Sequence, residues 1–158
     1  MALASTLQGG SSAIHAWKAS DAAVVETNID IPGDGRMILA AKATDLGNGQ
    51  WHYEYARMNF NSDRGARSFS VPLSRGFVIT NTGFHDVNYH SGEPYDNTDW
   101  NGNVGSESIE WHSPETFQQN PNSNALRWGT MYNFWFEANT PPTTGTVTST
   151  AAPAGTAA

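Results

Sequence analysis

The sequence contains no cysteine. A disulfide framework and thiolate chemistry are therefore excluded. Export is not, because a chain of 158 residues can fold on its own core without covalent staples. Positive charge is scarce as well: eight Lys and Arg stand against fifteen Asp and Glu, for a formal net charge of −7. The basic residues are scattered, so nucleic acid would meet a repulsive surface and is set aside as a partner. No apolar stretch approaches the length that spans a bilayer. The opening MALASTLQGGSS has no charged region leading into a long apolar one, so it is not an intact signal peptide. No segment shows a sustained helical period between caps. G-x-G-x-x-G, P-loop and G-x-S-x-G motifs are all missing, which leaves a nucleotide cofactor or an elbow-type serine hydrolase without support.

What the sequence does hold is strand signal. Residues 22–31 (AAVVETNIDI) are β-branched and stop at Pro-Gly. Residues 36–45 (RMILAAKATD) are followed by LGNGQ and then by residues 51–60 (WHYEYARMNF). Asn-Gly between two strand-like runs predicts a hairpin. In the run from Trp51, Trp51, Tyr53 and Tyr55 share one face, and His52, Glu54, Ala56 and Met58 the other. The aromatic row is assigned to the core, because large apolar groups are usually buried. Further strands are predicted over 68–73 (SFSVPL), 77–84 (FVITNTGF), 108–112 (SIEWH) and the aromatic run 126–137 (LRWGTMYNFWFE). Pro72 places the SFSVPL strand at a sheet edge.

Short strands separated by turn residues predict an all-β fold, an antiparallel β-sandwich of jelly-roll or immunoglobulin-like form. Two long loops follow, 85–107 and 113–125, and loops of this length commonly carry function. The division expected is a flexible lead over 1–13, a sandwich domain over 14–149 and a low-complexity tail over 150–158. Residues 146–149 (TVTS) are a candidate last edge strand.

The densest chemistry is GFHDVNYHSGEPYDNTDW, residues 83–100. His85, Asp86, His90, Glu93, Asp96 and Asp99 are its candidate metal ligands. Two imidazoles with carboxylates suit zinc or another transition metal. Asp96 and Asp99 with backbone carbonyls suit calcium, the ion preferred if any is bound. The spacing is neither HExxH nor an EF-hand loop. The competing reading is a structural loop in which Asp and Asn bond nearby backbone, and this reading is favoured. Tyr89, Tyr95 and Trp100 then tack the loop to the sandwich.

Six tryptophans are heavy usage for this length. Trp and Tyr stack on sugar rings and also anchor protein interfaces. Trp100 and Trp111, which flank the long loop, are the candidate exposed ligand-binding rings, with Tyr89 and Tyr95 beside them. Trp51, Trp128 and Trp135 are expected in the core. A glycosidase needs two carboxylates across a cleft, and Glu54, Glu93, Asp99, Glu107 and Glu110 are the candidates, although any acidic chain offers such pairs by chance.

Three blocks resemble a known family: WHYEYARMNFNSDRGARSFSVPL, GFHDVNYHSGEPYDNTDW and NPNSNALRWGTMYNFWFEANTPP. Over roughly 14–148 they resemble a β-sandwich domain of exported proteins from planctomycete-type bacteria. The pattern is similar to extracellular "choice-of-anchor" domains. The resemblance implies export and a sandwich; it supplies no activity to carry over. The Ala/Thr-rich tail departs from it, since a further anchoring segment is expected there.

The expected function is a non-catalytic extracellular or cell-surface module for display, adhesion or assembly, as a fragment of an exported protein. Its expected partners are polysaccharide or other extracellular proteins. The alternative is a small carbohydrate-active or metal-dependent hydrolase using the 85–100 loop. Arg67, Arg75 and Pro72 guard the SFSVPL strand against edge pairing, whereas the segment from Pro141 onward lacks such guards. Any self-assembly is therefore expected to involve that segment.

Overall fold

A computed structural model describes residues 11–143. The candidate strand at 146–149, the tail and most of the lead lie outside the described residues. The described chain forms one short helix and eight strands: α1 (Ala13–Ser20), β1 (Val25–Ile31), β2 (Gly35–Gly47), β3 (Gln50–Asn59), β4 (Ser68–Pro72), β5 (Ile79–His85), β6 (Asn101–Val104), β7 (Ser108–His112) and β8 (Met131–Ala138). They build two antiparallel sheets, ordered β1-β2-β3-β8-β5 and β4-β7-β6. This is the all-β sandwich that the strand pattern predicts. From β3 to β6 the chain alternates between the sheets.

The β2–β3 hairpin closes at Asn48-Gly49, where φ is 54° and 75°. Both values lie in the left-handed region that a two-residue hairpin requires, and Asn and Gly tolerate it. The register carries an apolar row across the larger sheet, Val25–Ala41–Tyr55–Phe134–Phe84. On the smaller sheet Phe69 sits opposite Trp111, and Val71 opposite Ile109. The two inner faces meet where Phe69 stacks on Phe134 with ring centroids 4.5 Å apart. Tyr53 and Tyr55 lie in this core, as the alternation at Trp51 predicts. The core also encloses a charge. Arg57 is buried on β3, donates to the Ser68 carbonyl at 3.2 Å, and is pushed by burial down to about 10.

β4 lies at the edge of the smaller sheet, as Pro72 predicts. The helix differs from expectation, since the sequence shows no capped helical period. α1 has only 8 residues, and Ser12 at its N-cap makes no side-chain cap bond. Tertiary packing forms it instead. Ile14, 1% exposed, is buried with Val24, Ile38, Ala40 and Ala56 against the outer face of the larger sheet. His15 reaches Glu26 at 2.7 Å, and Lys42 donates to Asp21 at 2.6 Å. The first long loop is also shorter than expected, because β6 arises within residues 85–107.

Candidate functional site

The segment 86–100 leaves the end of β5 and lies along the segment 113–130. Asn124 fastens the two together. Its side-chain amide donates to the Asp86 carboxylate and, at 3.0 Å, to the Thr98 carbonyl. Its side-chain oxygen accepts from the Tyr132 hydroxyl at 2.6 Å, and its backbone carbonyl accepts from the Trp100 indole at 3.0 Å. Three partners serve its buried side-chain amide and the fourth its carbonyl, which meets the rule that buried polar groups need bonds. Nearby, the Arg127 guanidinium lies 3.9 Å from the centre of the Tyr95 ring. It also donates to the Pro121 and Ser123 carbonyls. Tyr89 meets Tyr95 edge-on at 5.1 Å.

The six proposed metal ligands are not brought together. Among the described residues no group of three or more His, Asp or Glu is arranged to hold a metal ion. Asp86 is buried against Asn124. Its carboxyl lies above the usual carboxylate range because of burial, with Asp99 adding to the shift and Asn124 and His85 opposing it. Glu93 accepts the Ser91 amide at 2.8 Å. Asp96 accepts both the amide and the hydroxyl of Thr98 at 2.7 Å. His90 pairs with the neighbouring Ser91 hydroxyl at 3.0 Å. His85 and Asp99 are exposed. Glu93 and Asp96 thus close turns of the loop itself, the arrangement that carboxylates commonly adopt in loops.

The tryptophans require correction. Trp100 is 3% exposed and Trp111 1%, so neither offers a ring to a ligand. Trp100 stacks on Phe84 at 5.5 Å. Trp111 packs on Phe134 at 5.4 Å, and Gly102 on β6 leaves room for its indole. The period of two in SIEWH places Ile109 and Trp111 on one face, and that was the signal for burial. Trp128, expected in the core, is instead 67% exposed. Trp135 lies on the outer face of β8 against Gly83, and Trp51 is only partly buried at the core margin. The signal at Trp128 was Gly129, which breaks the alternation of the aromatic run and opens a turn.

The larger sheet is wider than the smaller one, so the inner face of β1 and β2 extends beyond β4. A cleft of ≈ 500 Å³ lies there, lined by Val25, Ala41, Tyr53, Tyr55, Leu73 and Phe77 among others. The Tyr53 hydroxyl is held at the rim by the Thr140 carbonyl at 2.6 Å. No helix among the described residues is long and apolar enough to cross a membrane. Comparison with family models, with curated proteins and with solved structures gave no match.

Proposed function

We propose that this domain is a non-catalytic binding module of the cell exterior, acting in surface display, adhesion or assembly. Its ligand is a polysaccharide or another extracellular protein. The observation that carries the reading is the cleft beside β4. There an apolar, aromatic-lined surface of one sheet extends past its cover. Surfaces of this kind accept ligands in sandwich and barrel proteins. Two further features favour it. The carboxylates of the 86–100 loop serve loop closure and fastening. The composition, poor in Lys and Arg and rich in strand signal, matches the resemblance to exported domains.

The test is a pull-down on insoluble polysaccharides, paired with analytical ultracentrifugation. Binding or self-association is expected in the wild type. Val25→Asp, at an exposed position on the cleft rim, should weaken either one without unfolding the domain. A strict monomer that binds nothing sinks the proposal.

A further inference from the structure

We propose that Trp128 anchors a carbohydrate chain at the end of the sandwich opposite the cleft. The inference rests on the reading of the domain as a binding module, but it uses a different surface. Tyr53 lines the cleft, and Phe60 lies seven residues further along the same chain. That is roughly 20 Å at the rise of an extended strand.

The first ground is the way Trp128 is presented. It sits in a turn closed by the Thr130 amide donating to the Arg127 carbonyl at 3.0 Å. Gly129 takes φ 77° there, which a side chain would strain. The Thr130 hydroxyl donates to the same carbonyl at 2.7 Å. On the far side, the Gly129 amide donates to the Asn59 carbonyl at 2.8 Å, and the Asn59 amide to the Thr130 carbonyl at 3.0 Å. Asn59 is itself fully buried. Its side-chain amide donates to the Ser62 and Arg64 carbonyls at 3.1 and 3.2 Å. Arg127 is fixed by two carbonyls and the Tyr95 ring. The turn is therefore ordered on every side, yet it holds the largest apolar side chain in water. Folding has already met the ordering cost of a contact there, which is what preorganised anchors share.

The second ground is the neighbourhood. The Phe60 and Asn61 amides both donate to the Arg36 carbonyl, and Asn59 bonds the turn at Gly129. Arg36, Phe60 and Gly129 thus belong to three adjacent chain segments, spanning about 10 Å at ordinary strand spacing. Phe60 is 42% exposed. Beside it a shallow hollow of ≈ 510 Å³ is lined by Asp30, Asp34, Arg36, Phe60 and Asn61. Asp30 accepts from Arg36 Nε at 2.7 Å, with both side chains open to solvent. Sugars need an apolar ring for their C–H face, plus acceptors and donors for their hydroxyls. Trp128 and Phe60 supply rings, Asp30 an acceptor, and Arg36 and Asn61 donors. A protein hot spot needs an apolar surround that excludes water. Here the exposed Phe60 ring shares its hollow with charged and amide groups, which favours carbohydrate.

The test is affinity electrophoresis in gels cast with neutral soluble polysaccharides, namely xylan, mannan and mixed-linkage glucan, against a gel without polysaccharide. At least one should retard the wild type. Trp128→Ala should lower the affinity about tenfold or more, the scale of losing a stacked ring, with the melting temperature unchanged. Trp128→Phe should retain part of the binding. Retardation equal in wild type and Trp128→Ala overturns the proposal. So does loss in Val25→Asp alone, which would assign binding to the cleft and leave the module reading standing. If no polysaccharide retards the wild type, the carbohydrate anchor is overturned. The module reading is then judged separately, by sedimentation.

Discussion

Asn124 joins three segments through one side chain: Asp86 after β5, Thr98 before β6 and Tyr132 on β8. Asn124→Ala strands the Asp86 carboxylate and the Thr98 carbonyl, while the Tyr132 hydroxyl keeps the Ala125 carbonyl. The expected loss is about 2–4 kcal/mol, since each stranded polar group costs on the order of 1–3 kcal/mol. Urea denaturation measures it, and a change below about 1 kcal/mol would show that the loop is not fastened there. Asp86 provides a pH test. Burial lifts its carboxyl above the usual range, so the folded chain holds that proton more tightly than the unfolded chain does. Its contribution to stability grows as pH falls through the folded value toward the ordinary 3.8 and becomes a penalty above it. Asp86→Asn should therefore raise the melting temperature at neutral pH, with the gain fading as the buffer is acidified. Four other carboxyls act in the opposite sense. Lys42 lowers Asp21, the Ser62 hydroxyl lowers Asp34, backbone amides lower Glu93, and Thr98 lowers Asp96. These stabilise the fold above their ordinary values, and the stabilisation is lost as pH falls through their lowered ones. A gain in Asp86→Asn that grew on acidification would contradict the assignment.

Among the elements, β5 shows how a missing side chain decides packing. A Cβ built on Gly83 would lie 2.0 Å from the Trp135 ring. Gly83→Ala must displace the indole, at an expected cost of about 1–3 kcal/mol. Thermal melts followed by tryptophan fluorescence should show a drop of several degrees, and an unchanged melt would mean that Trp135 moves freely. The same strand shows what a sequence reveals. Its existence was legible from FVITNTGF, because β-branched and aromatic residues favour the pleat. The irregularity between Thr80 and Gly83, with Asn81 at φ 48°, was not, because a bulge depends on the partner strand. β2, β3, β4 and β7 were legible within a few residues, from alternation and the Asn-Gly hairpin, whereas β8 starts five residues later than the aromatic run that predicts it, after the turn at Gly129. α1 was not, because one short apolar stripe forms a helix only against a sheet that already exists. β6 (Asn101–Val104) was equally hidden, since NGNV holds one strand former among Asn and Gly, and it pairs with β7 where Gly102 lies under Trp111. At the candidate site, the fastening role of the loop was anticipated. Asn124 as its centre was not, because an Asn in NPNSNALRW looks like any other loop amide.

At the scale of the whole molecule, β8 lies between β3 and β5, pairing Trp51 with Ala138 at one end and Met58 with Met131 at the other. The middle of the larger sheet therefore depends on partners far apart in the chain. Such non-local sandwiches fold in milliseconds to seconds. Stopped-flow refolding should fall in that window, and a sub-millisecond phase carrying the full amplitude would contradict it.

The position of β8 also matters for a chain emerging from the ribosome. β3 is complete at Asn59, but the strand that covers its edge ends roughly 80 residues later. At ordinary rates of synthesis, that interval lasts on the order of 4–16 s. Throughout it, the nascent hairpin presents Tyr53, Tyr55 and a row of unpaired backbone groups to its surroundings. During translation this edge thus stands open long before the chain has a sandwich to protect it.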